Sequence, residues 1–260
     1  MKKRRMIIPS VAVCMLLVQS VSAELIYSNN FDTEALGNVG AVGAGVSAFG
    51  DVGGPGADAN VVAGNANFAS QHLEISSRSD NGSYGFALFD GGDGVTPNPG
   101  WNAVTTFKFD FRMNSATFTN GQFRLRGRDA SYAGTGTDDT ARFDISAGDV
   151  SFDTVHTIEY VINNSTSDAD APSVGGTISA GSYAIYIDGS LEAGGSNFTA
   201  ADNSAVDYLT LWVRGDTVDV AQGVVQVDNF EVHAIPEPAT LGLVAAFGGA
   251  VLFIRRRFTM

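Results

Sequence analysis

The chain has 260 residues, with 15 Lys and Arg against 28 Asp and Glu, three His and one Cys. Seven of the basic residues lie at the two ends, so residues 24–235 hold 8 basic and 27 acidic side chains, a net charge of −19. So acidic a body repels nucleic acid and anionic membrane surfaces. With Cys14 confined to the leading segment, it also has no disulfide, thiolate metal site or cysteine nucleophile.

The first predicted element is an export signal over residues 1–23. Lys2 to Arg5 form a charged start, Met6 to Val18 an apolar run, and Val21-Ser22-Ala23 a small-residue cleavage site, with cutting expected after Ala23. Thirteen apolar residues are too few to span a bilayer as a lasting anchor.

The body, residues 24–234, reads as strands. Leu25–Ser28 comes first, with Asp32 and Glu34 just after it. Gly37 to Gly64 is rich in small residues and predicts a long loop with one or two weak strands. Leu73–Ser76 and Tyr84–Phe89 follow, and then an acidic turn with Asp90 and Asp93. A loop from Gly91 to Gly100 precedes Trp101. Phe107, Phe109, Phe111 and Met113 alternate with Lys108, Asp110 and Arg112, which places an apolar row and a charged row on opposite faces of one strand. Phe123 and Leu125 alternate with Arg124 and Arg126 in the same way. Ala141–Ser146 is another strand, as is the run carrying Ile158, Tyr160 and Ile162. Ser165 to Gly181 predicts a loop. Tyr183 to Ile187 is a strand that Asp188-Gly189 turns back as a type I′ hairpin. Leu209, Leu211 and Val213 mark one face of the next strand, with Trp212 on the other. Val224–His233 closes the body, and its change of phase predicts a bulge at Asp228-Asn229.

Residues 235–260 form a tail. Pro236 and Pro238 flank Glu237 and exclude helix or central strand. An apolar helix over residues 239–254 is short of a full span, and Arg255, Arg256 and Arg257 hold its end in the cytoplasm. The order of motif, helix and basic cluster resembles the PEP-CTERM sorting signal of Gram-negative bacteria. That resemblance implies cleavage near the motif by exosortase, an inner-membrane cysteine protease, after transient membrane insertion. It also implies a place on the outer surface or in an exopolysaccharide matrix.

No segment of the body keeps a helical period, and its many strands and glycine-rich turns predict an all-β, two-sheet antiparallel β-sandwich. Tyr183–Gly189 and the closing strand resemble the lectin-type jelly roll of concanavalin A-like and laminin G-like domains, with a galactose-binding-like jelly roll as the alternative. Jelly-roll carbohydrate-binding modules often hold a structural calcium where the first and last strands meet. The resemblance carries that role to Asp32, Glu34 and Asp228, whose competing role is ordinary turn formation.

Catalytic patterns are sparse. The paired-carboxylate run Glu-x-Asp-x-x-Glu is missing, Glu74 and Glu159 stand alone, and His72, His156 and His233 are scattered. Lys108 and Arg112 share one face, and so do Arg124 and Arg126. On neighbouring strands they would make a positive strip able to hold uronates or sulfated sugars by bidentate guanidinium contacts. The competing arrangement is cross-strand pairing with Asp110, Asp144 and Glu159. Trp101 and Trp212 are candidates for stacking on sugar rings, or for packing against the second sheet. Asn81, Asn163, Asn164 and Asn197 each begin an Asn-x-Ser/Thr triplet that could take a glycan. The expectation is a non-catalytic, carbohydrate-binding surface or matrix protein with acidic exopolysaccharide as its partner. A passive matrix protein and a polysaccharide-degrading enzyme are the alternatives.

Overall fold

The computed structural model describes residues 24–39, 49–51, 58–77, 84–89, 104–115, 122–128, 139–146, 148–165, 168–171, 176–196, 208–214 and 223–235. The export signal with Ala23, Asp90, Asp93, Trp101 and the tail with Pro236, Glu237, Pro238, Arg255, Arg256 and Arg257 lie outside them. Among the described residues no helix is long and apolar enough to cross a membrane.

The described chain is all-β. In order, its strands are β1 (Glu24–Asn29), β2 (Gly37–Asn38), β3 (Phe49–Asp51), β4 (Asp58–Val62), β5 (His72–Ser76), β6 (Tyr84–Phe89), β7 (Val104–Met113) and β8 (Gln122–Arg128). Then come β9 (Asp139–Ser146), β10 (His156–Asn163), β11 (Ala169–Ala171), β12 (Gly176–Ile178), β13 (Ser182–Ile187), β14 (Ser190–Ser196), β15 (Tyr208–Arg214) and β16 (Val224–Ile235). A nine-stranded sheet has the order β14-β13-β10-β7-β16-β5-β4-β2, with β1 beside β16. A five-stranded sheet has the order β3-β6-β15-β8-β9. All pairings are antiparallel, and the chain passes repeatedly from one sheet to the other.

The alternating apolar rows bring the sheets together. Phe107, Phe109, Phe111 and Met113 of β7 are fully buried, as are Phe123 and Leu125 of β8 and Leu209, Leu211 and Val213 of β15. These residues belong to a single core. Phe123 lies 5.5 Å from Phe111 and 6.5 Å from Phe109, ring centre to ring centre, and so links the two layers. Burying such a side chain contributes roughly 1.5–3 kcal/mol, which fixes the register, since a one-residue slip would turn the phenylalanines outward.

Two local expectations are met in detail. The partners of β16 on β7 shift between Asp228 and Glu231, and Asn229 takes φ of 51°, so the bulge sits where the phase changes. It divides β16 into a first half paired with β5 and a second half paired with β1, both against β7. Asp188 and Gly189 have φ of 51° and 79°, as a type I′ turn requires, and Ile187 pairs with Ser190 across it. Two predicted loops hold more structure than expected. Ser165 to Gly181 contains the hairpin β11–β12, which borders a satellite core of Val104, Val161, Ile178 and Ala184 on the outer face of the nine-stranded sheet. Gly37 to Gly64 contains β2, β3 and β4. For β2, β3 and β4, pairing with other strands supplies the order that local pattern does not signal, whereas β11–β12 pairs only with itself as a local hairpin.

Candidate functional site

On β8 and β15 the apolar residues turn inward, so Arg124, Arg126 and Trp212 lie on the outer face of the five-stranded sheet. Trp212 is the cross-strand partner of Arg124, and Thr210 that of Arg126. The Arg126 guanidinium stacks on the Trp212 ring, 3.4 Å from its centre, and that of Arg124 lies 5.5 Å away. A planar cation on an indole face is held by the ring quadrupole. Arg124 also meets Asp144 of β9 at 3.2 Å and donates from Nε to Gln122 Oε1 at 3.1 Å. Residue exposures of 5% for Arg124 and 6% for Arg126 make both groups closely held and largely dry. Trp212 therefore packs on arginine at the outside of its sheet, not against the second sheet. The stacked face of its ring is thus covered by the Arg126 guanidinium.

The structure divides the expected positive strip. β7 belongs to the nine-stranded sheet and β8 to the five-stranded one, so Lys108 and Arg112 lie on the opposite outer face from Arg124 and Arg126. The sequence shows which residues share a strand's face, but only topology decides which strands adjoin. Lys108 pairs with Glu159 at 3.5 Å, as the cross-strand alternative expected. Arg112 donates to Gln226 Oε1 at 3.1 Å and binds Asp153. Asp110 accepts instead from Thr157 Oγ1 and Asn229 Nδ2. Asp153, which sequence reasoning missed, has φ of 58° and caps the end of β7 through Ser115 and Arg112. The Ser115 hydroxyl bond is the largest cause of its carboxyl lying below the ordinary range.

The first and last strands do meet near the expected acids. Phe31, fully buried, takes φ of 59°, a strained conformation for a bulky residue, held by donation of its amide to the side-chain Oδ1 of Asn29. This corner aims Asp32 at the backbone amide of Gln71, 3.1 Å away. Asp228, 1% exposed, accepts from Ser70 Oγ at 2.7 Å and from the Asn229 amide at 2.8 Å. Burial pushes its carboxyl up and outweighs those two bonds; the charge of Asp32 adds to the rise. Glu34 turns aside to accept from Asn29 Nδ2 at 3.0 Å. With its amide turned about, Gln71 donates to the carbonyls of Phe31 and Glu34. Among the described residues no three Asp, Glu, His or Cys side chains gather so as to hold a metal ion.

The three histidines occupy separate places on the nine-stranded sheet. His72 lies against Phe68, and His233 is 3.0 Å from Glu231. His156 sits between Asp188 Oδ2, 2.7 Å from Nδ1, and the Ser151 carbonyl, 2.9 Å from Nε2. Asp188 also accepts from the Thr157 amide, so a turn residue ties the β13–β14 hairpin to the start of β10. Desolvation raises its carboxyl, but the bonds from His156 and Thr157 and the His156 charge outweigh it and leave it below the ordinary range. The Asp-Gly turn was legible; its second task was not, because β10 is thirty residues upstream. Asn163 is fully buried, donates to the Ile178 carbonyl at 2.8 Å and accepts from the amide of Ser165 at 2.9 Å. Its amide nitrogen is thus committed inside the fold, which removes this triplet from the glycan acceptors.

No family model matches the chain, and no curated protein matches it. Among solved structures it is similar to the CBM22-1 xylan-binding domain of Paenibacillus barcinonensis Xyn10C, at 14% identity and a TM-score of 0.41, covering 83% of this chain and 97% of that one. It is similar to an endo-beta-1,4-glucuronan lyase from the fungus Trichoderma reesei, at 12% identity and a TM-score of 0.44, covering 77% and 95%. It is also similar to the carbohydrate recognition domain of Emp47p, at 8% and 0.43, covering 83% and 98%. Likenesses this distant say nothing of what the chain binds.

Proposed function

We propose that the chain is an exported, non-catalytic glycan-binding protein of the cell surface or extracellular matrix, built as a lectin-type jelly roll and released from the inner membrane by exosortase. The observation that carries the binding role is the outer face of the five-stranded sheet, where Trp212 fixes the guanidinium of Arg126 beside Arg124. Fixed planar donors beside aromatic surface suit hydroxyl- and carboxylate-bearing rings. The non-catalytic role is supported by the separation of the three histidines, all on the other sheet from this face. The export and sorting roles rest on the signal with Ala23 and on Pro236, Glu237, Pro238 and the arginines 255–257.

The test is retention of the full-length chain, in mild detergent, on immobilised acidic and neutral polysaccharides, with reducing ends assayed in the eluate. Retention without new reducing ends is the expected result. New reducing ends would replace the proposal by a degrading enzyme, and no retention on any polymer would leave a passive matrix protein. Each column is repeated with calcium and then with chelator; retention lost with chelator would assign a calcium site to Asp32 and Asp228. For sorting, alanines at Pro236, Glu237 and Pro238 should hold the chain at full length in the membrane fraction. Unchanged release would remove exosortase from the account.

A further inference from the structure

A neutral imidazole has one ring N–H and one acceptor nitrogen, whereas an imidazolium has two N–H donors. The partners of a histidine therefore reveal its charge wherever each can act in only one way. At His72 they are of opposite kinds. Its Nδ1 faces the Ser70 carbonyl at 3.3 Å, and its Nε2 faces the Asn65 amide nitrogen at 3.4 Å. Asn65 is fixed in that orientation, because its Oδ1 accepts from the amides of Asn67 at 2.8 Å and Phe68 at 3.0 Å. A neutral ring with its proton on Nδ1 satisfies both contacts.

At His156 both partners accept. Nδ1 faces the Asp188 carboxylate and Nε2 the Ser151 backbone carbonyl, at 2.7 and 2.9 Å, and neither oxygen has a proton to give. His156 is buried at the start of β10, with its ring against Phe111 of β7 at 5.6 Å. A neutral ring here would leave a nitrogen lone pair facing an oxygen in a nearly dry site, which costs more than a missing bond. Among the described residues no other charged group takes the place of Asp188. On the loop of residues 148–155, Asp149 accepts from the Ser146 amide, and Asp153 is held by Ser115 and Arg112. Asp110, Arg112 and Glu159 lie on the outer face of their strands, and Glu192 of β14 is exposed.

The ring thereby joins three segments: the β13–β14 turn, the start of β10 and the loop of residues 148–155, from which Val150 and Phe152 pack on the core. When one proton leaves, the other stays on Nδ1, where the carboxylate gives the stronger, charge-assisted bond. The bond to Ser151 is the one lost. We propose that His156 is held as an imidazolium and acts as a proton-dependent clasp, which ties residues 148–155 over the rim of the core while charged and releases them when it loses a proton.

Linkage gives the sign. The clasp stabilises the closed loop below the pH at which His156 gives up its proton, and that stability is lost above it. At the acid end it is lost as Asp188 takes a proton. Desolvation raises that carboxyl, but the bonds from His156 and Thr157 and the His156 charge hold it below its ordinary range, which widens the closed window downwards.

The test follows the histidine ring nitrogens of the isotopically labelled, full-length chain by NMR, in mild detergent, as pH is raised. The two nitrogens of an imidazolium resonate close together and those of a neutral ring far apart. His156 should keep both ring protons to a higher pH than the same chain unfolded in urea, and His72 should show the neutral pattern while His156 is still charged. A His156 that turns neutral at or below the pH seen in urea would overturn the proposal.

Amide exchange locates the opening. From about pH 5 to about pH 8, where histidine changes charge, corrected protection of the Asp149 and Asp153 amides should fall about tenfold. These amides donate to the Ser146 and Met113 carbonyls. Those of Thr157 and Asp188 should hold. Unchanged loop protection would refute the clasp, and loss at Thr157 and Asp188 alone would refute release on the Ser151 side. Melting temperature is a poor substitute, since burial pushes the Asp228 carboxyl up and adds its own stabilisation towards acid. His156→Gln, with no ring proton to lose, should abolish the step; a step that persists belongs to another group and sinks the proposal. Asp188→Asn keeps a residue suited to the turn and should bring the charge loss of His156 down to the pH seen in urea. No movement there would show that the carboxylate does not hold the imidazolium.

Discussion

Phe109→Ala is expected to destabilise the fold by about 3–5 kcal/mol, the cost of emptying a large site in a packed core. Phe109 is fully buried at the centre of β7. Its ring stacks on Phe230 of β16 at 5.6 Å and meets Phe123 of the other sheet edge-on at 6.5 Å. One side chain therefore joins a neighbour in its own sheet to the layer above. Its loss leaves a cavity that the strand backbones, fixed by pairing on both sides, cannot close. Urea unfolding followed by tryptophan fluorescence measures it. A midpoint unchanged from the parent would mean that the two sheets are not held by this core. Phe143→Ala on β9, where the ring is only partly buried, should cost clearly less.

The second large effect is expected at Asn163. Asn163→Ala should cost about 2–4 kcal/mol, since each buried polar group left without its partner costs about 1–3 kcal/mol. The side chain donates to the Ile178 carbonyl and accepts from the amide and the hydroxyl of Ser165, all in buried surroundings. It is the polar pin that holds the end of β12 to the end of β10, beside Val104, Val161, Ile178 and Ala184. The loss should be local first. Amide exchange around residues 176–178 should quicken before that of β7, and uniform exchange changes would contradict a pin at this corner. A buried, doubly engaged amide also explains why an Asn-x-Ser triplet in the sequence is no guide to an acceptor site. The motif records residue order, and the folded chain decides whether the nitrogen can be reached.

The sequence by itself determined the strands and their faces. Phe107 to Met113, Phe123 with Leu125, and Leu209 to Val213 all turn inward as their alternation required, because strand side chains alternate whatever the partner. It also determined the Asp188-Gly189 turn and the bulge at Asp228-Asn229, where positive φ or a phase change leaves a local mark. The charge imbalance and the ends that resemble export and sorting signals were likewise legible, since composition and order suffice for them. Tertiary structure alone decided which strands are neighbours. It sent Lys108 and Arg112 to one outer face and Arg124 and Arg126 to the other, and it laid Arg126 on Trp212, eighty-odd residues distant in the chain. It also engaged Glu34 with Asn29 and closed His156 onto Asp188. The physical reason is that alternation constrains one strand at a time, whereas a site on a sheet face is assembled by pairings between distant strands, which the shared core selects.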